Sequence, residues 1–143
     1  MKKVFQTTFG GCNAPLLERG NCLSACLASI LELPITEVPN FHVVCDVDSI
    51  DWGDAVNQWL GTRGYWFLEM PWSQEHETLV LEPYAGHYIM SGRSPRGNWR
   101  HGVVAGAGQI CHDPRPGTTA PYLLESTEEY PWTIGVLVQN GAL

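Results

Sequence analysis

At 143 residues the chain is long enough for one domain with a single real core, and it is read as one domain over residues 1–143. Hydrophobic residues at 44% and charged residues at 16% argue against disorder and against a long solvated coiled coil. A formal charge of −7 argues against sequence-independent binding to nucleic acid, because the surface would repel the phosphates.

The opening Met-Lys-Lys-Val-Phe-Gln-Thr-Thr has two lysines and no apolar run behind them. It reads as neither signal peptide nor membrane span, so the expectation is a cytoplasmic chain. The five cysteines, Cys12, Cys22, Cys26, Cys45 and Cys111, are then expected as reduced thiols. Residues 10–21 are rich in glycine and asparagine and read as loop. Residues 22–33, Cys-Leu-Ser-Ala-Cys-Leu-Ala-Ser-Ile-Leu-Glu-Leu, have helix propensity and are apolar nearly all round. That pattern predicts a helix buried on most sides, with Asn21 as N-cap and Pro34 closing it. Residues 34–41 read as a proline-bounded turn. Trp52, Ala55, Val56, Trp59 and Leu60 recur at helical spacing and predict a second helix from Asp51, its cap, to Leu60.

After Gly64 the period changes. Tyr65–Met70, His87–Ser91, His101–Ala105, Gln109–Asp113 and Thr133–Gln139 are candidate strands. Helices first and strands after predict an α+β fold, with the buried N-terminal helix packed on an antiparallel sheet.

Thiol chemistry needs a thiolate, which a helix N-terminus and a neighbouring imidazolium both stabilise. Cys22 falls at the first helical position and meets the positive end of the helix dipole. Cys26, one turn further in, receives less of that field, so Cys22 is the expected nucleophile. His101 opens a strand and is the expected base. A three-residue hairpin loop, Gly106 to Gly108, would set His101 opposite Asp113, which then orients the imidazole. A two-residue loop would put Asp113 opposite Gly102, on the other face. For the oxyanion, the Cys22 amide is one donor, and Gln6 or Asn21 supplies the second.

The segment Gly20-Asn-Cys-Leu-Ser-Ala-Cys-Leu-Ala-Ser-Ile-Leu resembles the active-site helix of papain-like cysteine peptidases of the bacteriocin-processing, C39-like group. The likeness extends to Gln6-Thr before it and to His101-Gly-Val-Val and Cys111-His-Asp-Pro after it. It implies a papain-like fold with Cys22 as nucleophile, His101 as base, Asp113 as orienter and Gln6 in the oxyanion hole. The implied reaction is hydrolysis of a peptide, isopeptide or other amide bond in a peptide or protein substrate, through a thioester and without a cofactor or metal. Two departures stand out: residues 7–20 become an inserted loop, and Leu23 replaces a glycine that often follows the nucleophile. A thiol acyl-transferase or deamidase, or an inactive binding module, are the alternatives on the same fold.

Other residues have simpler readings. His112 is the alternative base if the hairpin loop is shorter. His87 reads as a satisfied strand histidine, and His42 and His76 as loop residues. Trp52 and Trp59 read as core packing on one helix face, whereas Trp66, Trp72, Trp99 and Trp132 are free to line a groove. Arg93, Arg96 and Arg100 form a short basic cluster, either a solvated loop or a contact for an anionic substrate. No Cys-x-x-Cys or His-x-x-x-His pair suggests zinc, and no glycine-rich stretch leads into a phosphate loop.

Overall fold

The computed structural model describes residues 1–72, 86–118 and 125–141. Among them are three α-helices, α1 (Cys22–Leu31), α2 (Phe41–Asp48) and α3 (Trp52–Gly61). They are followed by strands β1 (Tyr65–Pro71), β2 (Tyr88–Arg93), β3 (Arg100–Gly106), β4 (Gln109–His112) and β5 (Thr133–Gln139). The strands form one antiparallel sheet in the order β1-β5-β2-β3-β4. The architecture is therefore α+β, with helices and strands segregated along the chain as their periodicities predict.

The α1 segment buries every residue from Ser24 to Ser29. Small side chains make that possible, since Ala25, Cys26 and Ala28 let the helix lie close on β3. At Gly102 of β3 even an added Cβ would stand 4.0 Å from Cys26 Sγ. The helix ends before Pro34, at Glu32 in the left-handed conformation (φ 57°), with the Leu33 amide on Ala28 O at 2.9 Å. Leu27, Phe41, Val56 and Leu60 meet Ile89, Val104 and Leu137 of the sheet in the main core. Burying each such side chain contributes about 1.5–3 kcal/mol before chain entropy is subtracted.

Asp51 caps α3 as expected, accepting from the Asp54 amide at 2.9 Å. From the same helix, Asn57 holds the edge strand β1. Its Oδ1 accepts from the Phe67 amide (2.7 Å), and its Nδ2 donates to Phe67 O (3.2 Å). One side chain thus satisfies both backbone groups of a residue on an edge that would otherwise be open to pairing.

Two expectations need correction here. His42, expected in a loop, lies on the helix Phe41–Asp48. Three valines and a single buried residue, Phe41, gave this short helix little propensity and no stripe to read. Its start is nevertheless local, because Asn40 Oδ1 accepts from the His42 amide at 3.1 Å. The second correction is the β3–β4 hairpin. Gly106 pairs with Gln109, so the loop has two residues, Ala107 (φ 50°) and Gly108 (φ 76°). Both take the left-handed conformation that a tight two-residue hairpin turn requires. The expected opposition of Ala105 and Gln109 therefore does not occur; Ala105 faces Ile110.

Candidate active site

Cys22 stands at the first position of α1, half-buried. Asn21 occupies the cap position but does not cap. Its Oδ1 accepts from the amides of Thr7 (2.9 Å) and Thr8 (3.2 Å), and its Nδ2 donates to Thr7 Oγ1 (3.0 Å). The expected N-cap thus ties the N-terminal segment to the residue before Cys22.

That tie explains how Gln6 reaches Cys22 across so much sequence. Residues 1–8 run back along α1. The Lys2 amide donates to Ser29 O (3.1 Å), the Val4 amide to Ser29 Oγ (2.9 Å), and the Gln6 amide to Pro114 O (2.9 Å). Residues 10–20 then close on themselves, with Gly10 and Gly20 joined by backbone bonds to Glu18 O and Gly10 O, both 2.8 Å. Gly10 has to be glycine, because a Cβ there would collide with Ala14 and the Glu18 carbonyl. Gln6 itself is buried, and its Nε2 donates to Thr8 O at 2.8 Å. Its Oε1 has no hydrogen-bond partner among the described residues.

His101 is 2% exposed, and its Nε2 lies 2.9 Å from Asp113 Oδ1. The pairing arises by a route other than the one expected. A two-residue loop alone would send Asp113 to the far face, but a β-bulge at Cys111 intervenes. Ala105 faces Ile110, whereas Val104 faces His112. The extra residue inverts the facing once more, so Asp113 returns to the His101 side. Asp113 Oδ1 also accepts from the Arg115 amide at 2.9 Å.

Cys22 and His101 perturb one another. Burial pushes the Cys22 thiol up, but a hydrogen bond from His101, its charge, and the amides of Gly102 and Leu23 outweigh burial. The net result is a thiol held below its ordinary range. Burial likewise pulls the His101 imidazole down, yet Asp113 and Cys22 raise it from 6.5 to about 9. Both shifts favour the thiolate–imidazolium pair. Cys26 goes the opposite way: burial first, then the charges of Cys22 and Asp113, push it well above the thiol range. The two cysteines are thus separated, Cys22 chiefly by its His101 partner and Cys26 by burial.

A cavity of about 640 Å³ opens in front of Cys22 and is lined by Gln6, Cys22 and His101 together. The structure therefore brings Cys22, His101 and Gln6 to one cavity, with Asp113 bonded to His101. His112 is not part of it. Its Nε2 lies 2.7 Å from Val4 O and its ring packs edge-on against Phe5 at 5.0 Å, so it anchors the N-terminal segment. His87 lies beside Gly106, at the other end of β3 from His101. His76 falls outside the described residues.

Several lining residues escaped the sequence reading. His42 lines the cavity from α2, with Nε2 3.2 Å from Gly20 O and its ring edge-on to Trp52 at 4.6 Å. Trp52, expected in the core, is 39% exposed and lines the same cavity. Trp99, which the sequence does offer as a groove-lining residue, also lines the cavity and packs against Gly11. For His42 and Trp52, only the Asn40 cap offered a local signal. Among the described residues, no group of three His, Cys, Asp or Glu side chains is placed to hold a metal ion. No single helix among them is long and apolar enough to cross a membrane.

No protein-family model matches this chain, and no curated protein or solved structure matches it either.

Proposed function

We propose that this chain is a papain-like, C39-like cysteine-nucleophile hydrolase that cleaves a peptide, isopeptide or other amide bond in a peptide or protein. The observation that carries the proposal is the coupling of Cys22 to a buried His101–Asp113 pair at the mouth of a cavity. Nucleophile, base and orienter stand in sequence, which is the arrangement covalent acyl chemistry needs.

In this reading the Cys22 thiolate attacks the carbonyl carbon and the C=O electron pair moves onto oxygen. The Cys22 amide and the second N–H of Gln6 Nε2 stabilise that oxyanion. Collapse of the intermediate breaks the C–N bond, and the His101 imidazolium gives its proton to the departing amine. The neutral imidazole then takes a proton from water, whose oxygen attacks the thioester. The acid leaves and Cys22 is restored. Asp113 keeps the ring turned so that Nδ1 is the nitrogen left for Cys22.

The test is the alkylation rate of each cysteine by iodoacetamide from about pH 4 to about pH 9, read by peptide mass spectrometry in wild type and His101→Ala. Cys22 should react fastest below neutral pH and lose that advantage in the variant. Reaction no faster than that of a free thiol would overturn the proposal. Acyl-enzyme captured on Cys22 from a peptide library, and absent in Cys22→Ser, then assigns the hydrolytic step.

A further inference from the structure

The chain carries −7 overall, yet the cavity before Cys22 has the opposite character. Four of its lining side chains are arginines, Arg19, Arg96, Arg100 and Arg115, against one carboxylate, Glu69, among the described residues. The chain has 8 lysines and arginines in all, so half of its formal cations face one cavity. They arrive from separate stretches. Arg19 precedes Gly20-Asn21-Cys22, Arg96 and Arg100 come from the β2–β3 connection and the start of β3, and Arg115 follows Asp113.

Neutral groups hold three of these side chains. Arg19 Nε donates to Ala14 O (3.0 Å), and Arg100 Nη1 donates to Ser91 Oγ (3.0 Å) and Pro131 O (2.8 Å). The Arg115 guanidinium lies over the Phe9 ring, 5.3 Å from its centre. Among the described residues no carboxylate forms an ion pair with Arg19, Arg100 or Arg115. Arg63 and Arg93, outside the cavity, are by contrast paired with Glu37 (3.8 Å) and Glu125 (2.6 Å). Glu69 sits on β1, with β5 and β2 between it and β3. The apolar side chains of Phe41, Trp52, Val56 and Phe67 also line the cavity.

Arg19, Arg100 and Arg115, gathered with no carboxylate paired to them among the described residues, are matched by a ligand carboxylate, which guanidinium groups bind bidentately. Hydrolysis through a thioester requires an acyl carbon, which a peptide has and a nucleic-acid backbone lacks, and the acidic surface repels a polyanion. We propose that the substrate of this site is an acidic peptide, with a carboxylate held by the arginine group and an apolar side chain toward Phe41, Trp52 and Phe67. This rests on the hydrolase reading and names its substrate class.

The test uses three N-iodoacetyl dipeptides, Ala-Glu-amide, Ala-Gln-amide and Ala-Gln free acid. In each, the Cys22 sulfur bonds to the methylene carbon and iodide leaves. The readout is the rate at Cys22 for each acidic probe divided by that for the neutral amide. In wild type at low salt at least one ratio should be about tenfold, the order of one charge contact in partly screened surroundings. It should fall toward one in strong salt and in Arg19→Gln or Arg115→Gln, neither of which breaks a strand pairing. Arg63→Gln, outside the cavity, should leave it unchanged. A ratio carried by the Glu probe assigns the site to side-chain carboxylates; one carried by the free acid assigns it to chain ends. Equal rates in wild type, or a ratio that survives both arginine variants, overturns the proposal. Uniformly slow alkylation of Cys22 by all three probes instead refutes the thiolate and with it the hydrolase reading, so the two failures are distinguishable.

Discussion

Replacing Asp113 with Asn keeps the shape of the side chain and removes its charge. The His101–Asp113 contact at 2.9 Å is nearly sealed from solvent, with the two side chains 3% and 7% exposed. Burial pulls the imidazole down, and Asp113 together with Cys22 reverses this and carries it from 6.5 to about 9. The rise favours the imidazolium by about 3 kcal/mol, at about 1.4 kcal/mol per pH unit. Asp113 is one of two sources of that rise. Its neutralisation should therefore cost the imidazolium on the order of 1–2 kcal/mol, or about one pH unit. The signs follow from charge. Without the carboxylate His101 loses its proton at lower pH, and Cys22, held low partly by that imidazolium, ionises at higher pH. The window in which the ion pair exists narrows from both ends. Cys22 alkylation by iodoacetamide reads the acid edge, and a titration of the His101 ring protons by NMR reads the alkaline edge. Profiles of Asp113→Asn and wild type that superimpose would show that Asp113 does not face the imidazolium, and the orienter role would fall.

Gln6→Ala should lower kcat about a hundredfold, the size of one lost oxyanion donor, with little change in KM; a change confined to KM would make Gln6 a substrate contact instead. Cys26→Ser places a hydroxyl in a fully buried position and should destabilise the fold by about 1–3 kcal/mol in urea unfolding, while Cys22 keeps its fast alkylation. Asn57→Ala strips both backbone groups of Phe67 of their partner and should cost about 1–3 kcal/mol by the same measurement. Asp51→Ala removes the α3 cap and should cost about 1 kcal/mol, visible as a melting temperature lowered by a few degrees.

The sequence alone determined what depends on neighbours a few residues apart. Alanine and leucine between Cys22 and Leu31 specify a buried helix, Asp51 caps α3, and the apolar run from Thr133 to Gln139 is a strand with those bounds. Helix position also put Cys22 forward over Cys26, although the partner that separates them, His101, comes from a strand far along the chain. The tertiary structure decided what depends on contacts far along the chain. Nothing near Gln6 says that residues 1–8 run back along α1; Ser29, Asn21 and Pro114 hold them there. Nothing in Gly106-Ala-Gly108 announces the bulge at Cys111, which lets His112 reach Val4 O and brings Asp113 back to His101. The hairpin argument reached the right partner by the wrong register, since loop chemistry sets a turn but a bulge answers to packing across the sheet. The four cavity arginines are spread from residue 19 to residue 115, and only folding puts their charge in one place. A local signal survives in sequence because it is encoded by spacing; a site assembled from distant segments does not, because its distances exist only once the core has closed.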